Sequence, residues 1–194
     1  MSEPFNQTKF KFGSATKPLE LVNQDGDALV PDPAEDKFYV FGGRYATWNT
    51  SSNYFQKPPA RNTGDLWLYD GSKRQWTLQE TTGSKIQRIT MGAATVDYNT
   101  GIIYYVGGRY DNWVVRDFAA TVYVDGLLTV DTSQPTPTWT NKTIPIDSAS
   151  IYEGFLQYVP LGKEGILVRF GGWRFPKGSL NPGGVLVSEE VNCE

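Results

Sequence analysis

The chain contains no histidine among its 194 residues. That removes Ser-His-Asp and Cys-His nucleophile systems, histidine general bases and histidine-ligated metals. Cysteine is nearly as scarce. Cys193 is the only one, so no disulfide can form within the chain. A single thiol fits a reducing compartment and equally an exported protein that needs no bridge. No apolar run approaches the ~18 residues of a membrane span. Met1 to Lys11 is polar and lacks the apolar core of a secretion signal. The expectation is a soluble chain with no membrane insertion. Basic residues are not in excess either. The formal net charge is −3, so no overall positive field draws nucleic acid.

What the chain does have is aromatic residues (14 %), 20 glycines and 12 prolines. This combination predicts many short strands joined by tight turns, an all-β chain of one domain. Three sequons, at Asn6, Asn49 and Asn141, leave an exported parent protein open, although such triplets also arise by chance in Thr- and Ser-rich loops.

A repeat organises the rest. An apolar run ending in two glycines occurs three times: Phe38-Tyr-Val-Phe-Gly-Gly43, Ile103-Tyr-Tyr-Val-Gly-Gly108 and Leu167-Val-Arg-Phe-Gly-Gly172. The first glycines, Gly42, Gly107 and Gly171, stand 65 and 64 residues apart. Each run reads as a buried strand. The glycines that end it allow positive φ and close approach of neighbouring backbone. A second strand precedes each run, over Asp27 to Val30, Met91 to Asp97 and Gly154 to Val159, across short turns at 31–33, 98–101 and 160–165. Downstream strands are predicted at 65–69 and 76–78, then at 120–124 with the turn Asp125-Gly126 and Trp139-Thr140, and last at 184–188. The unit is four antiparallel strands, one blade of a propeller.

These residues resemble the kelch repeat, an apolar strand, a Gly-Gly pair, a variable loop, a Tyr-Asp closing a strand, and then a Trp. Gly42, Gly43, Tyr69, Asp70 and Trp76 fit closely. Gly107, Gly108, Tyr123, Asp125 and Trp139 fit with a wider spacing, and Gly171 and Gly172 lack a downstream Tyr-Asp or Trp. The resemblance implies an incomplete kelch-type β-propeller of about three blades, at 26–79, 88–143 and a truncated 152–194. Residues 1–25 are candidate outer strands of a preceding blade. It implies structural roles for Tyr69, Tyr123, Trp76 and Trp139. The segments Met91-Gly-Ala-Ala-Thr95 and Glu153-Gly-Phe-Leu-Gln-Tyr-Val-Pro160 are similar to those of large cell-surface kelch proteins of filamentous fungi. A parent of that type implies an extracellular location; otherwise the location is cytoplasmic. Closed propellers need roughly 4 to 8 blades, so the expectation is a fragment, an assembly with other chains, or an open stack prone to self-association through its edges. The copper site of the galactose oxidase relatives needs His and Cys-Tyr chemistry, and the iron motif of the plant kelch specifier proteins includes His. This sequence can supply neither, and no cofactor is expected.

Other chemistry is thin. Glu153, Asp111 and Asp117 are candidate acid and base for glycoside chemistry, against the reading as solvated acids and turn formers; Glu189-Glu190 reads as a solvated pair. Asn23, Asp25 and Asp27 open like a calcium loop, but Ala28 stands where the turn needs Gly and Ala34 where the loop needs Glu. The glycine pairs open no helix, so they cradle no phosphate. The loops after the pairs are the best candidate site: Arg44, Tyr45 and Trp48; Arg109, Tyr110 and Trp113; Trp173, Arg174 and Phe175. Equal offsets from successive glycine pairs predict a single rim. Aromatic and Arg side chains together suit a protein or glycan ligand. The alternative is that they pack against and shield the neighbouring blades. The functions in view are a binding or scaffolding module, a carbohydrate-active enzyme, and a structural fragment without independent activity.

Overall fold

The computed structural model describes residues 24–32, 36–45, 47–49, 54–56, 64–110, 122–124, 126–142, 149–176 and 185–186. Among them the chain is all-β, with strands and turns and no helix. In chain order the strands are β1 (Gln24–Asp32), β2 (Lys37–Tyr45), β3 (Thr47–Asn49), β4 (Tyr54–Gln56), β5 (Leu66–Asp70), β6 (Gln75–Leu78), β7 (Thr82–Gly83), β8 (Ala93–Asp97), β9 (Ile102–Val106), β10 (Arg109–Tyr110), β11 (Val122–Tyr123), β12 (Leu127–Asp131), β13 (Thr138–Lys142), β14 (Ala149–Tyr152), β15 (Phe155–Val159), β16 (Ile166–Phe170), β17 (Trp173–Pro176) and β18 (Val185–Leu186).

Two sheets share one plan. The first has the order β1-β2-β5-β6, and the second has β8-β9-β12-β13 with β7 added parallel on β13. All other pairings are antiparallel. A third unit is one long hairpin. Tyr152 faces Trp173 and Phe155 faces Phe170 in continuous register. Only Glu153-Gly154, opposite Gly171-Gly172, interrupts it. The first strands of the three units lie side by side, β1 against β8 and β8 against β15.

The strands form here because β-branched and aromatic residues suit a pleated, half-buried surface, and their alternation decides which layer each side chain enters. In β9, Ile103 and Tyr105 join Ala28, Phe41 and Leu66 in the core between the first two sheets. Tyr104 and Val106 point the other way and pack with Leu156 and Leu167 of the third unit. The second sheet is therefore covered on both faces, which explains why Ile102–Val106 contains no charged or amide side chain. Burying residues such as Ile103 and Val130, each 1 % exposed, contributes about 1.5–3 kcal/mol apiece.

The glycine pairs take the conformation that the sequence predicts. All six residues have positive φ: 75° and 81° at Gly42-Gly43, 72° and 90° at Gly107-Gly108, 64° and 100° at Gly171-Gly172. Two of the pairs also need the missing side chain. A Cβ on Gly42 would strike the carbonyl oxygen of Ile89, and one on Gly108 would lie 2.7 Å from the carbonyl oxygen of Thr90. The backbone they admit is the linker Arg88–Thr90, whose three residues are buried. Gly43 N donates to Ile89 O at 2.8 Å, and Thr90 and Arg109 exchange backbone hydrogen bonds at 2.9 and 3.1 Å. One residue further on, Met91 O accepts from Glu153 N. The linker thus joins all three units. Met91 (φ 60°) and Glu153 (φ 59°) occupy matching places opposite a glycine pair, each at a cost of roughly 1–2 kcal/mol for the left-handed conformation.

Two predicted strands fall elsewhere. The third strand of the second sheet is Leu127–Asp131, not residues 120–124. Asp125-Gly126 has the composition of a turn, but the turn that closes this strand is Asp131-Thr-Ser133, where Ser133 N and Oγ donate to Asp131 Oδ1 at 2.9 and 2.7 Å. In the first sheet the same work falls to Asp70, which accepts from Ser72 Oγ at 2.6 Å and Lys73 N at 3.0 Å. Asp131 pairs with Ile102 as Asp70 pairs with Lys37. Likewise Val185–Leu186, expected to follow the Leu167 run, pairs with Trp173–Arg174 beyond the glycines. Val122–Tyr123 does the same with Arg109–Tyr110. Both short strands extend the segment after a glycine pair rather than the strand before it.

Candidate binding rim

The candidate rim residues follow the glycine pairs. In β2, Arg44 pairs with Asp25 and Tyr45 with Gln24. In the second unit Arg109 forms a bridge with Thr90. In the third, Trp173 pairs with Tyr152, Arg174 with Ile151 and Phe175 with Ser150. Arg44, Arg109 and Trp173 therefore hold the same register place, one residue past the second glycine. Because β1, β8 and β15 are neighbours, the three places fall at the same end of the three units.

The local chain explains the return path. In the second and third units a two-residue strand pairs with the segment that follows the glycines. Tyr123 pairs with Arg109 and Val122 with Tyr110, while Leu186 pairs with Trp173 and Val185 with Arg174. In the first unit Trp48 sits in a separate hairpin, opposite Phe55. Tyr123 thus lies beside the rim, not in the third strand of a four-stranded sheet. Trp113, Asp125, Asp111 and Asp117 lie outside the described residues.

Arg109, Tyr110 and Trp173 are half-buried. Tyr110 packs against the core between the first two sheets, and that burial pushes its phenol pKa up, so it stays neutral. Glu153, the described member of the candidate acid set, is exposed.

Two of the residues expected to be structural, Trp139 and Trp76, lie among other rings and apolar side chains. Trp139 is 3 % exposed in the inter-sheet core. Trp76 packs in a three-ring cluster, its ring centroid 4.9 Å from that of Tyr69 in a tilted contact and 5.5 Å from that of Phe38 edge-on. In register the two tryptophans match, since Trp76 pairs with Tyr69 and Trp139 with Val130.

Several polar groups at the unit boundaries escape a sequence reading. Arg169 extends from β16 to the carbonyl oxygens of Val106, at 3.3 Å, and Glu153. Burial brings its pKa down to about 10. Its signal in the sequence is a charge inside the apolar run Leu167 to Phe170. The hydroxyl of the buried Tyr105 accepts from Gly92 N at 2.8 Å. Tyr158 lies parallel to Tyr104 with centroids 5.6 Å apart, and its backbone N–H donates to Thr95 Oγ1 at 3.1 Å. A cavity of about 650 Å³, lined among others by Asp65, Gln79, Lys85, Gln87 and Trp139, opens between the outer strands of the first two sheets. Its walls come from three separated stretches of chain, which no spacing rule connects. A scan against protein-family models finds none that matches the chain, and a search of curated proteins likewise finds no match.

Proposed function

We propose that the chain is a segment of a kelch-type β-propeller that acts as a binding or scaffolding module, presenting its rim to a protein or glycan. The observation that carries this reading is the common register of Arg44, Arg109 and Trp173, each one residue beyond a left-handed glycine pair. A strand end that recurs in space brings side chains of one kind to one surface, and Arg and aromatic side chains make strong contacts there. The propeller reading is supported by the shared plan of the first two sheets. The rows Phe38, Tyr69, Trp76 and Ile103, Val130, Trp139 match position for position, and an Asp-x-Ser turn closes the third strand of each.

The test is a binding screen of the intact chain against a glycan array and a displayed peptide library. Arg109→Ala and Trp173→Ala are run beside the wild type. A specific hit that weakens by an order of magnitude or more in the rim variants, but holds in Trp76→Ala, supports the reading. A hit insensitive to both rim variants overturns it. Release of a sugar product from an array glycan would instead favour an enzyme.

A further inference from the structure

The stretch between the first sheet and the linker Arg88–Thr90 forms a loop fastened to both sheets. After β6 it is tied back at Gln79, whose N–H donates to Leu66 O at 2.9 Å. It then crosses to the second sheet, where Thr82–Gly83 pairs parallel with Thr138–Trp139. There Thr82 N donates to Pro137 O at 3.0 Å and Ser84 N to Trp139 O at 2.9 Å. The hydroxyls of Thr82 and Thr138 share a further hydrogen bond of 2.9 Å. The loop returns to the first sheet at Ile86, whose carbonyl oxygen accepts from Gly64 N at 2.8 Å. Gly83 (φ 83°) lets the crown sit down, since a Cβ there would strike the Trp139 carbonyl oxygen. Both feet of the loop thus stand on residues 64–66 and its crown on β13. Compact surface loops with their ends this close are frequently functional.

The cavity of about 650 Å³ is bounded by this loop, by residues 64–66 and by Trp139. Its volume falls in the roughly 300–1,000 Å³ range of small-ligand sites, with room for a short oligosaccharide. Because the loop is fastened at both feet and at its crown, the walls are formed before any ligand arrives. Gln79, Thr81, Ser84 and Gln87 line it with amide and hydroxyl groups that both donate and accept. Leu78, 42 % exposed, and Ile86 add apolar surface. The charged members are one carboxylate, Asp65, and one ammonium, Lys85, so the lining carries no net charge.

We propose that this cavity is a binding site for a neutral oligosaccharide, separate from the rim. Sugar hydroxyls donate and accept as the amides and hydroxyls of the wall do, and the C–H face of a pyranose ring is apolar and suits Leu78 and Ile86. An anionic ligand gains from Lys85 but meets the like charge of Asp65, and a cationic one gains from Asp65 but meets Lys85. Both are disfavoured against a neutral ligand. A wholly apolar ligand leaves the wall amides unpaired. The neutral hydrogen-bonding side chains outnumber the charged ones, which favours a hydroxyl-rich ligand over a zwitterionic peptide. Every wall residue belongs to the first two sheets or to the loop between them, so the site needs nothing from the ends of the chain and is independent of what the rim binds.

NMR titration of the isotope-labelled intact chain with cellotriose, mannotriose and triacetylchitotriose tests it. At least one of these neutral sugars should shift the amides of Thr81, Lys85 and Gln87, with a dissociation constant of about 1 mM or tighter. Gln87→Ala removes an amide from the wall and Thr81→Trp fills the cavity, and each should weaken binding by an order of magnitude or more. Both positions are exposed, so the folded chain accepts the changes, which circular dichroism checks. Arg109→Ala and Trp173→Ala should leave this binding unchanged. No shift with any of the three sugars at about 10 mM overturns the proposal, as does binding insensitive to both cavity variants. Shifts confined to Arg109 and Trp173, and lost in the rim variants, also overturn it, assigning the sugar to the rim and leaving the proposed function standing. Tighter binding of trigalacturonic acid or of triglycine at the cavity amides overturns the neutral sugar as the ligand.

Discussion

The indole of Trp139 meets the ring of Phe41 edge-on, with centroids 5.3 Å apart and planes at 79°. This contact joins the outer strand of the second sheet to the glycine-ended strand of the first. Edge-to-face geometry adds about 0.5–1.5 kcal/mol to the burial of both rings. Trp139→Ala should therefore destabilise the chain by about 3–5 kcal/mol. Trp76, in the matching register place, is only half-buried, and Trp76→Ala should cost less than half as much. Urea unfolding of the two variants beside the wild type gives the comparison, and equal losses would contradict the packing described.

The glycine pairs differ in what surrounds them, so the same substitution should have graded effects. Gly171→Ala meets no atom within 4 Å and should cost only the left-handed strain, roughly 1–2 kcal/mol. Gly42→Ala adds a clash with the Ile89 carbonyl, and Gly108→Ala one with Thr90. Both should lose clearly more than Gly171→Ala in thermal melts and should loosen the linker Arg88–Thr90. If all three shift equally, strain alone governs the pairs.

Removing one oxygen tests the join between Tyr105 and Gly92. Tyr105→Phe keeps the ring packed but leaves the Gly92 N–H without its acceptor. A loss of about 1 kcal/mol is expected for a part-buried donor left without its acceptor, together with faster hydrogen exchange at the Gly92 amide. Unchanged exchange there would mean that water or another group takes over.

Acid should weaken the turns. The Ser72 hydroxyl, with Lys73, holds the Asp70 carboxyl below its usual pKa, and the Thr100 hydroxyl, with Asn99, does the same for Asp97. A carboxylate whose folded pKa lies below its unfolded value stabilises the fold fully above that unfolded value, 3.8 here. The stabilisation is lost as pH falls through the folded pKa. The urea midpoint should be flat from about pH 7 to pH 5 and decline below about pH 4. Asp97→Asn should lower the midpoint at neutral pH and shallow the decline. A decline beginning above pH 5 would point to other groups.

The sequence makes parts of this molecule legible for identifiable reasons. A strand with both faces buried needs a continuous apolar run, so Ile102–Val106 stands out. A left-handed backbone pair needs glycine, so three of them in register betray the repeat. The first four-stranded sheet is readable because its turn, Asp70-Gly71, is the sharpest local signal available. The same rule misleads in the second sheet, where Asp125-Gly126 looks like a better turn than Asp131-Thr-Ser133. There the partners of Ile102–Val106 decide, and they are set by packing across sheets rather than by local preference. Of the candidate rim, the common offset from the glycines is legible. The separate hairpin holding Trp48 and the returning strands at 122–123 and 185–186 are not, because each strand is only two or three residues long and carries too short a pattern to read. Arg169, Tyr105 and the outer cavity depend on contacts between units and leave only weak local traces.

The buried linker Arg88–Thr90 also sets an order of loosening. It touches the glycine pair of the first sheet and bridges to Arg109 of the second. The second sheet is in turn covered on both faces. Neither the linker nor this sheet can open without exposing a neighbour's core, whereas the outer strands β6 and β16 can fray by themselves. Native-state exchange should accordingly decay inward, with the amides of Ile103, Tyr105 and Val130 the last to go. The middle of the chain would then act as the keystone against which both flanks melt and re-form.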